Sequence, residues 1–209
     1  NGSERTIERI NFTSWMGYSI PWTLAWSEDE EFLFYTHRLG GGDGCYGEDD
    51  LLGTDLYRVN LETGETTELA PKSGYWLALS PDQTMVAFLT NEKTITLRNI
   101  QTGEERTIPL EEQEKYTGRM ITHASDLLWS PDGNWLIFTF RVNECVMDDE
   151  AMNSIIIVDA ETLTQKVLIL EDPHRPRTLE WSADGLVLIQ DESDQYWWLD
   201  PISGEMIEK

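Results

Sequence analysis

The sequence is poor in positive charge, in cysteine and in long apolar stretches. Only 15 Lys and Arg face 39 Asp and Glu, a formal net charge of −24. Nucleic acids and anionic lipids bind basic surfaces, so this balance argues against both as partners. No apolar run approaches the roughly 18 residues of a membrane-spanning helix, and we expect no membrane insertion. Two cysteines, Cys45 and Cys145, are too few for a disulfide scaffold or a thiolate zinc site.

What the chain does contain is apolar and aromatic material for a core. Of its 209 residues, 40% are hydrophobic, and they include nine Trp, seven Tyr and six Phe. Disordered chains lack such content, and this length suits one domain. The excess of negative charge favours cationic partners, so we expect a protein partner with a basic surface. The sequence predicts no oligomeric state.

One short motif recurs about every 50 residues, which is the spacing of a structural repeat. A Leu, one or two residues and a serine are followed by an aspartate, and the motif then runs into an apolar segment. A further apolar segment, an Asn or Asp turn and a short polar segment complete each repeat. The four openings are Leu24 to Asp29, Leu77 to Asp82, Leu128 to Gly133 and Leu179 to Gly185.

The repeat content predicts an all-β fold. Apolar residues alternate with period two and turn signals are frequent, which excludes a helical interpretation. Four antiparallel strands in each repeat of this length are typical of a β-propeller blade. We therefore expect a propeller with four blades of four antiparallel strands; the alternative is a fragment of a larger propeller.

These motifs resemble the TolB-like repeat, a relative of WD repeats, over roughly residues 20–209. Similar blades occur in periplasmic binding proteins and beside the catalytic domains of oligopeptidases. The resemblance implies a non-catalytic binding platform.

The expected organisation is a single propeller domain over residues 1–209. Its blades cover about 22–70, 75–110, 125–170 and 177–208. Residues 4–10 resemble the fourth strand of a blade, so we expect them to form an extra edge strand that closes the ring beside the last blade.

Function is expected where the blades differ. Blades 1 and 3 carry long insertions, residues 39–53 and 143–153, on the face that also holds the connections between blades. Long insertions on one face are typical binding surfaces. The candidate binding residues are Trp22, Asp43, Tyr46, Glu48, Asp49, Asp50, Trp76, Glu144, Asp148, Asp149, His174, Arg175 and Arg177.

Each insertion holds one cysteine, and a disulfide from Cys45 to Cys145 is expected if the insertions meet across the ring. That bond would indicate an oxidising compartment, extracellular or periplasmic. The alternative is two unrelated thiols. The same insertions are acidic, and Asp43, Asp49, Asp50, Asp148 and Asp149 are the ligands if calcium binds. Solvated surface charge is the other interpretation, and no other cofactor is expected.

Enzyme motifs are not evident. The three histidines are scattered, the serines recur at a turn position, and no Gly-x-Ser-x-Gly or phosphate-binding loop exists. The first hypothesis is a non-catalytic extracytoplasmic binding module that contacts another protein, and not an enzyme. The alternatives are an enzyme-associated propeller, either peptidase-gating or a metal-dependent hydrolase or lyase, and a glycan-binding lectin. Trp26, Trp129 and Trp181 share one repeat position and are expected in the core.

Overall fold

The fold is given by a computed structural model that describes residues 18–40, 55–70, 75–91, 94–110, 122–142 and 152–208. These residues form sixteen β-strands in four sheets, and no helix occurs among them. Accordingly, no helix in this part of the chain is suited to crossing a membrane. The prediction of an all-β fold with four-stranded antiparallel blades is confirmed.

Each sheet is a meander in which consecutive strands pair antiparallel. Blade 1 contains β1 (Tyr18–Trp26), β2 (Phe32–Gly40), β3 (Leu56–Asn60) and β4 (Thr66–Ala70). Blade 2 contains β5 (Tyr75–Leu79), β6 (Met85–Asn91), β7 (Thr94–Asn99) and β8 (Glu105–Pro109). Blade 3 contains β9 (Thr122–Trp129), β10 (Trp135–Val142), β11 (Met152–Asp159) and β12 (Gln165–Asp172). Blade 4 contains β13 (Arg177–Trp181), β14 (Val187–Gln190), β15 (Tyr196–Leu199) and β16 (Met206–Glu208).

The turn between the first and second strands is built by the recurring serine and aspartate. In blade 3, Ser130 Oγ accepts the N–H of Trp135 at 2.9 Å and donates to Asp132 Oδ1 at 2.5 Å. Asp132 in turn accepts the N–H of Asn134 at 3.1 Å. Ser27 and Ser80 make the same bonds in blades 1 and 2. The motif is therefore a turn cap, as local side-chain bonds of Ser and Asp usually are.

The turn between the third and fourth strands is capped by an Asn or Asp side chain. Each accepts two backbone N–H groups, from residues two and three positions further on; in Asn99 both distances are 2.9 Å. Glycine then takes a positive φ, for example 79° at Gly204, where a side chain would be strained. Blade 3 has Leu163 at this position, with a φ of 63°.

The core lies between successive blades, where apolar faces of neighbouring sheets meet. The largest cluster joins blades 2 and 3 around Phe138, Leu97 and Ile108, all fully buried. Smaller clusters join blades 1 and 2 and blades 3 and 4. The first strands contact one another in the order β1, β5, β9 and β13. Each blade thus has its short turns at one end, the turn face, and its longer connections at the other, the loop face.

The shared tryptophan position is not uniformly core. Trp129 is 8% exposed and its Nε1 donates to the carbonyl of Ala78 at 2.9 Å, so this position packs against the preceding blade. Trp26, expected in the core, is 57% exposed, and that prediction is wrong. The reason is positional, because the described residues place no sheet before blade 1. The predicted strand over residues 4–10 lies outside the described residues.

Candidate functional site

A cleft of about 390 Å³ opens on the loop face between blades 3 and 4. One wall is the β12–β13 connection, with Asp172 and His174, and the other is the β14–β15 link, with Ser193 and Gln195. The floor is apolar. It is formed by Ile169, Ile189, Trp197 and Met206.

His174 is held at this cleft by a carboxylate two residues earlier. Asp172 Oδ1 accepts the backbone N–H of His174 at 2.8 Å and lies 2.9 Å from its ring Nδ1. With Nδ1 assigned as the donor in this contact, Nε2 carries the free lone pair. The ring is 73% exposed, so Nε2 is accessible to a ligand. A histidine oriented in this way is able to accept a proton from a bound substrate.

The opposite wall is fixed by Asp191, which is 8% exposed. Its Oδ1 accepts the N–H groups of Ser193 at 2.8 Å and Gln195 at 2.9 Å, so this carboxylate shapes the turn. The N–H of Glu192 donates to the carbonyl of His174 at 3.1 Å. This hydrogen bond joins the two walls, so the β12–β13 connection that carries His174 is held in place by the β14–β15 link.

The two predicted arginines of this connection have partners within the chain. Arg175 Nη1 lies 2.6 Å from Glu192 Oε1, and its backbone φ is 49°. Arg177 donates from Nη2 to Gln190 Oε1 at 2.7 Å. The structure thus brings His174 and Arg175 to the β14–β15 link, while Arg177 is used to hold strand β14.

Trp76 lies at an irregularity in β5, where the pairing with β6 shifts register. Its φ is 52°, which is rare for a bulky residue, and its Nε1 is buried without a hydrogen-bond partner. The side chain is half-buried against the core between blades 2 and 3. Trp22 lies on β1 opposite Thr36.

The remaining predicted site residues are not placed. Asp43, Tyr46, Glu48, Asp49, Asp50, Glu144, Asp148 and Asp149 lie outside the described residues, as do Cys45 and Cys145. Their binding role, the calcium site and the disulfide therefore stay predictions. Within the described ranges, no three His, Cys, Asp or Glu side chains are grouped so as to hold a metal ion.

An aromatic cluster on blade 1 was not predicted. Tyr35 and Tyr57 stack with ring centroids 5.3 Å apart, and His37 meets Tyr57 edge-on at 5.1 Å. Burial, followed by the negative charge of Asp55, raises the pKa of Tyr57 to about 12. Tyr57 donates to Asp55 Oδ2 at 3.2 Å and so stays protonated. Alternate positions in strands β2 and β3 were the sequence signal that would have grouped these rings.

The predicted site also missed Asp172, the partner of His174. The spacing of Asp172 and His174 was a usable sequence signal. An aspartate in a turn often accepts the backbone N–H of the residue two positions later, and a histidine at that later position can also bond through its ring. Asp172 carries no repeat signature, however, and with 39 acidic residues in the chain it did not stand out.

The geometry defines the class of protein as a β-propeller with a polar cleft on its loop face. No known family profile matches the sequence. No curated protein matches it either.

The chain is, however, similar to several solved structures. An oligogalacturonate lyase in complex with manganese is 13% identical, with a TM-score of 0.64 over 88% of this chain and 50% of the lyase. TolB from Acinetobacter baumannii is 17% identical, with a TM-score of 0.55 over 91% of this chain and 43% of TolB. An acylaminoacyl peptidase from Pyrococcus horikoshii is 11% identical, with a TM-score of 0.58 over 91% of this chain and 32% of the peptidase. The chain thus spans half or less of each of these proteins.

The likeness confirms the TolB-like propeller as a fold. It corrects the functional prediction of a non-catalytic binding module that is not an enzyme. Two of these three similar structures are enzymes, a lyase and a peptidase, and the interpretation as an enzyme-associated propeller agrees better with them. The error arose because the repeat motifs are turn and core residues, which carry no information about activity.

Proposed function

We propose that this chain is the propeller part of an enzyme, and that His174 acts as a general base at the loop-face cleft. The observation that carries the proposal is the contact between His174 Nδ1 and Asp172 Oδ1 at the mouth of that cleft. Asp172 sets the ring tautomer and its orientation, and Nε2 faces solvent to receive a proton. The apolar floor gives a substrate a surface on which to rest.

The reaction class we infer is elimination, supported by the likeness to oligogalacturonate lyase. In such a step, a base removes the proton from the carbon beside a carboxylate or carbonyl group. The electron pair of that C–H bond forms a C=C bond, and the neighbouring C–O bond breaks with its oxygen leaving as the alcohol after protonation. His174 would supply the base, and Ser193 and Gln195 are placed to position substrate hydroxyls.

A peptide substrate is the second candidate, supported by the likeness to acylaminoacyl peptidase. His174 contacts the carboxylate of Asp172, and no serine nucleophile is assigned to it. In that case the propeller would gate access to a catalytic domain, and His174 would contribute no bond-breaking step.

The test is an activity assay on two substrates with matched variants. Purified protein is incubated with oligogalacturonides, and the unsaturated product is followed by its ultraviolet absorbance; blocked peptides are assayed in parallel. We expect the elimination product, with a rate reduced about 100-fold or more in His174→Ala and reduced less in Asp172→Asn. Asp159→Asn removes the same charge from a turn on the opposite face, and it should leave the rate unchanged.

Two results would contradict the proposal. One is an undiminished rate in His174→Ala, since the base would then lie elsewhere. The other is no elimination product from the purified protein. Peptide binding without turnover of either substrate would replace the lyase with the gating propeller.

We also propose that the protein works outside the cytoplasm. The support is the TolB-like fold and the two cysteines in polar insertions. Alkylation of the natively purified protein without reductant, followed by intact mass measurement, tests it. Two labelled thiols would contradict the disulfide, and with it the main argument for an oxidising compartment.

A further inference from the structure

A second and larger cleft, of about 510 Å³, lies on the turn face between blades 3 and 4. It is far along the strands from His174, and the proposed activity does not use it. Its walls are mainly apolar, with Trp135 and Ile157 from blade 3 and Trp181 from blade 4. Lys166 Nζ donates to the carbonyl of Ile202 at 2.9 Å across one edge, joining the two blades there.

At this cleft, two repeat positions lack the hydrogen bonds that the equivalent residues make elsewhere in the chain. The first is the shared tryptophan. Trp129 Nε1 bonds the preceding blade at Ala78, whereas Trp181 Nε1 is buried and has no hydrogen-bond partner. The Trp181 N–H is thus enclosed by the protein, and the residue lines the cleft through its other atoms.

The second such position is the turn aspartate. In the first three blades, that aspartate accepts a bond of 2.6, 2.6 or 2.5 Å from the turn serine. The turn of blade 4 is one residue shorter, and Ser182 Oγ accepts the N–H of Leu186. Asp184, exposed at the rim of the cleft, makes no hydrogen bond or ion pair with the described residues.

The cleft therefore offers a carboxylate without a donor beside the apolar surfaces of Trp135 and Ile157. A ligand that satisfies both has a cationic group on an apolar stem. A guanidinium or ammonium group is attracted both by a carboxylate and by the face of a tryptophan. The charge of the whole chain, −24, favours the same sign of ligand.

We propose that this turn-face cleft binds a peptide segment that presents an Arg or Lys side chain. The basic group pairs with Asp184, and the aliphatic stem lies on Trp135. A neutral saccharide is the competing occupant; it also stacks on indole rings but gains nothing from the charge.

The experiment titrates two blocked tetrapeptides, acetyl-Leu-Arg-Leu-Arg-amide and the same sequence with glutamine for arginine, and uses maltotriose as the saccharide probe. Binding is measured at low and high salt from the indole N–H signals in two-dimensional NMR, with Trp181 assigned through Trp181→Phe. We expect the arginine peptide to shift the Trp181 signal and to bind at least about fivefold more tightly than the glutamine peptide at low salt.

Two matched variants separate the cleft from general charge. Asp184→Asn should remove the difference between the two peptides, whereas Asp29→Asn, the same change at the equivalent position of blade 1, should preserve it. Trp129→Phe should lower the melting temperature without changing peptide affinity. Asp184 has no bonds to lose, so its variant decides the question even if Trp181→Phe fails to fold.

Four outcomes would overturn the proposal. They are equal binding of the two peptides, equal effects of Asp184→Asn and Asp29→Asn, a response of the Trp181 signal to maltotriose alone, and no response to any probe.

Discussion

The contact between blades 2 and 3 and the contact between blades 3 and 4 are built from the same repeat, yet one is filled and the other is open. In the first, Trp129 reaches back to Ala78, and Leu163 packs against the core in a conformation that leucine rarely adopts. In the second, Trp181 has no acceptor, and Gly204 stands at the position of Leu163.

The glycines show how the space arises. A Cβ added at Gly185 or at Gly204 would meet nothing within 4 Å, whereas one at Gly133 would lie 3.9 Å from Pro81. The difference teaches that a repeat protein makes a cleft by omitting side chains and one turn residue, while the strands stay in register. The turn-face cleft and the loop-face cleft both lie between blades 3 and 4.

The largest expected difference in unfolding free energy comes from truncating one buried side chain at each contact. Phe138→Ala removes a fully buried ring between blades 2 and 3 and should cost about 3–5 kcal/mol of unfolding free energy. Ile157→Ala, beside the turn-face cleft, should cost about 2 kcal/mol, since its void joins an existing opening. Urea denaturation followed by fluorescence measures both. Equal losses would mean that the second contact is as closely packed as the first.

Replacing each of the two tryptophans by phenylalanine tests the comparison between the two contacts further. Trp129→Phe breaks the bond to Ala78 and should cost about 1–2 kcal/mol. Trp181→Phe removes a donor that has no partner, and should change stability by about 0.5 kcal/mol or less. The check is again chemical denaturation, with near-ultraviolet circular dichroism as a control for folding. A larger loss in Trp181→Phe would contradict the open contact.

The two cationic side chains that bridge neighbouring blades should differ less in their contributions to stability. Arg106 donates to the carbonyls of Ala160 and Glu161, at 2.9 and 3.0 Å, whereas Lys166 donates only to that of Ile202 among the described residues. Arg106→Met should cost about 1 kcal/mol and Lys166→Met about 0.5 kcal/mol, because both groups are exposed. Thermal melting of the two variants ranks them, and the reverse order would contradict this account of the bridges.

The smallest contrast is a pH dependence of the turn aspartates. The bond from Ser130 holds the pKa of Asp132 below its ordinary value. A depressed pKa gives stability that is present above about pH 4 and is lost as the pH falls through the lowered value. Asp132→Asn should therefore lower the melting temperature at pH 7, with the gap closing in acid. If Asp132→Asn lowers the melting temperature equally at pH 7 and in acid, the loss of stability does not come from the charge of the carboxylate.

The sequence predicted the repeating part of the fold because each repeat carries its own turn chemistry. Ser130 with Asp132, and Asn99 with the residues after it, specify turns by local bonds that need no knowledge of the rest of the chain. Trp26 was mispredicted for the opposite reason. Its burial depends on a neighbouring blade, which the repeat pattern assumes and the described residues do not supply.

The candidate sites were harder to predict because they depend on departures from the repeat. The missing residue before Leu186 was visible in the sequence, but its consequence, a released Asp184 beside an unpaired Trp181, needed the contact between two blades. His174 was predicted as a binding residue, whereas its partner Asp172 and the cleft that they share became evident only when blades 3 and 4 were placed together.

The most direct test of the filled and open contacts is the exchange of the two indole N–H protons with water. Both signals are assigned from the Trp129→Phe and Trp181→Phe variants, and exchange is measured by NMR on the unliganded chain. The account predicts that the Trp129 proton, bonded to Ala78, exchanges more slowly than the Trp181 proton, which is buried but has no acceptor. Equal protection of the two protons would show that Trp181 has an acceptor after all, and that the last two blades are joined like the others.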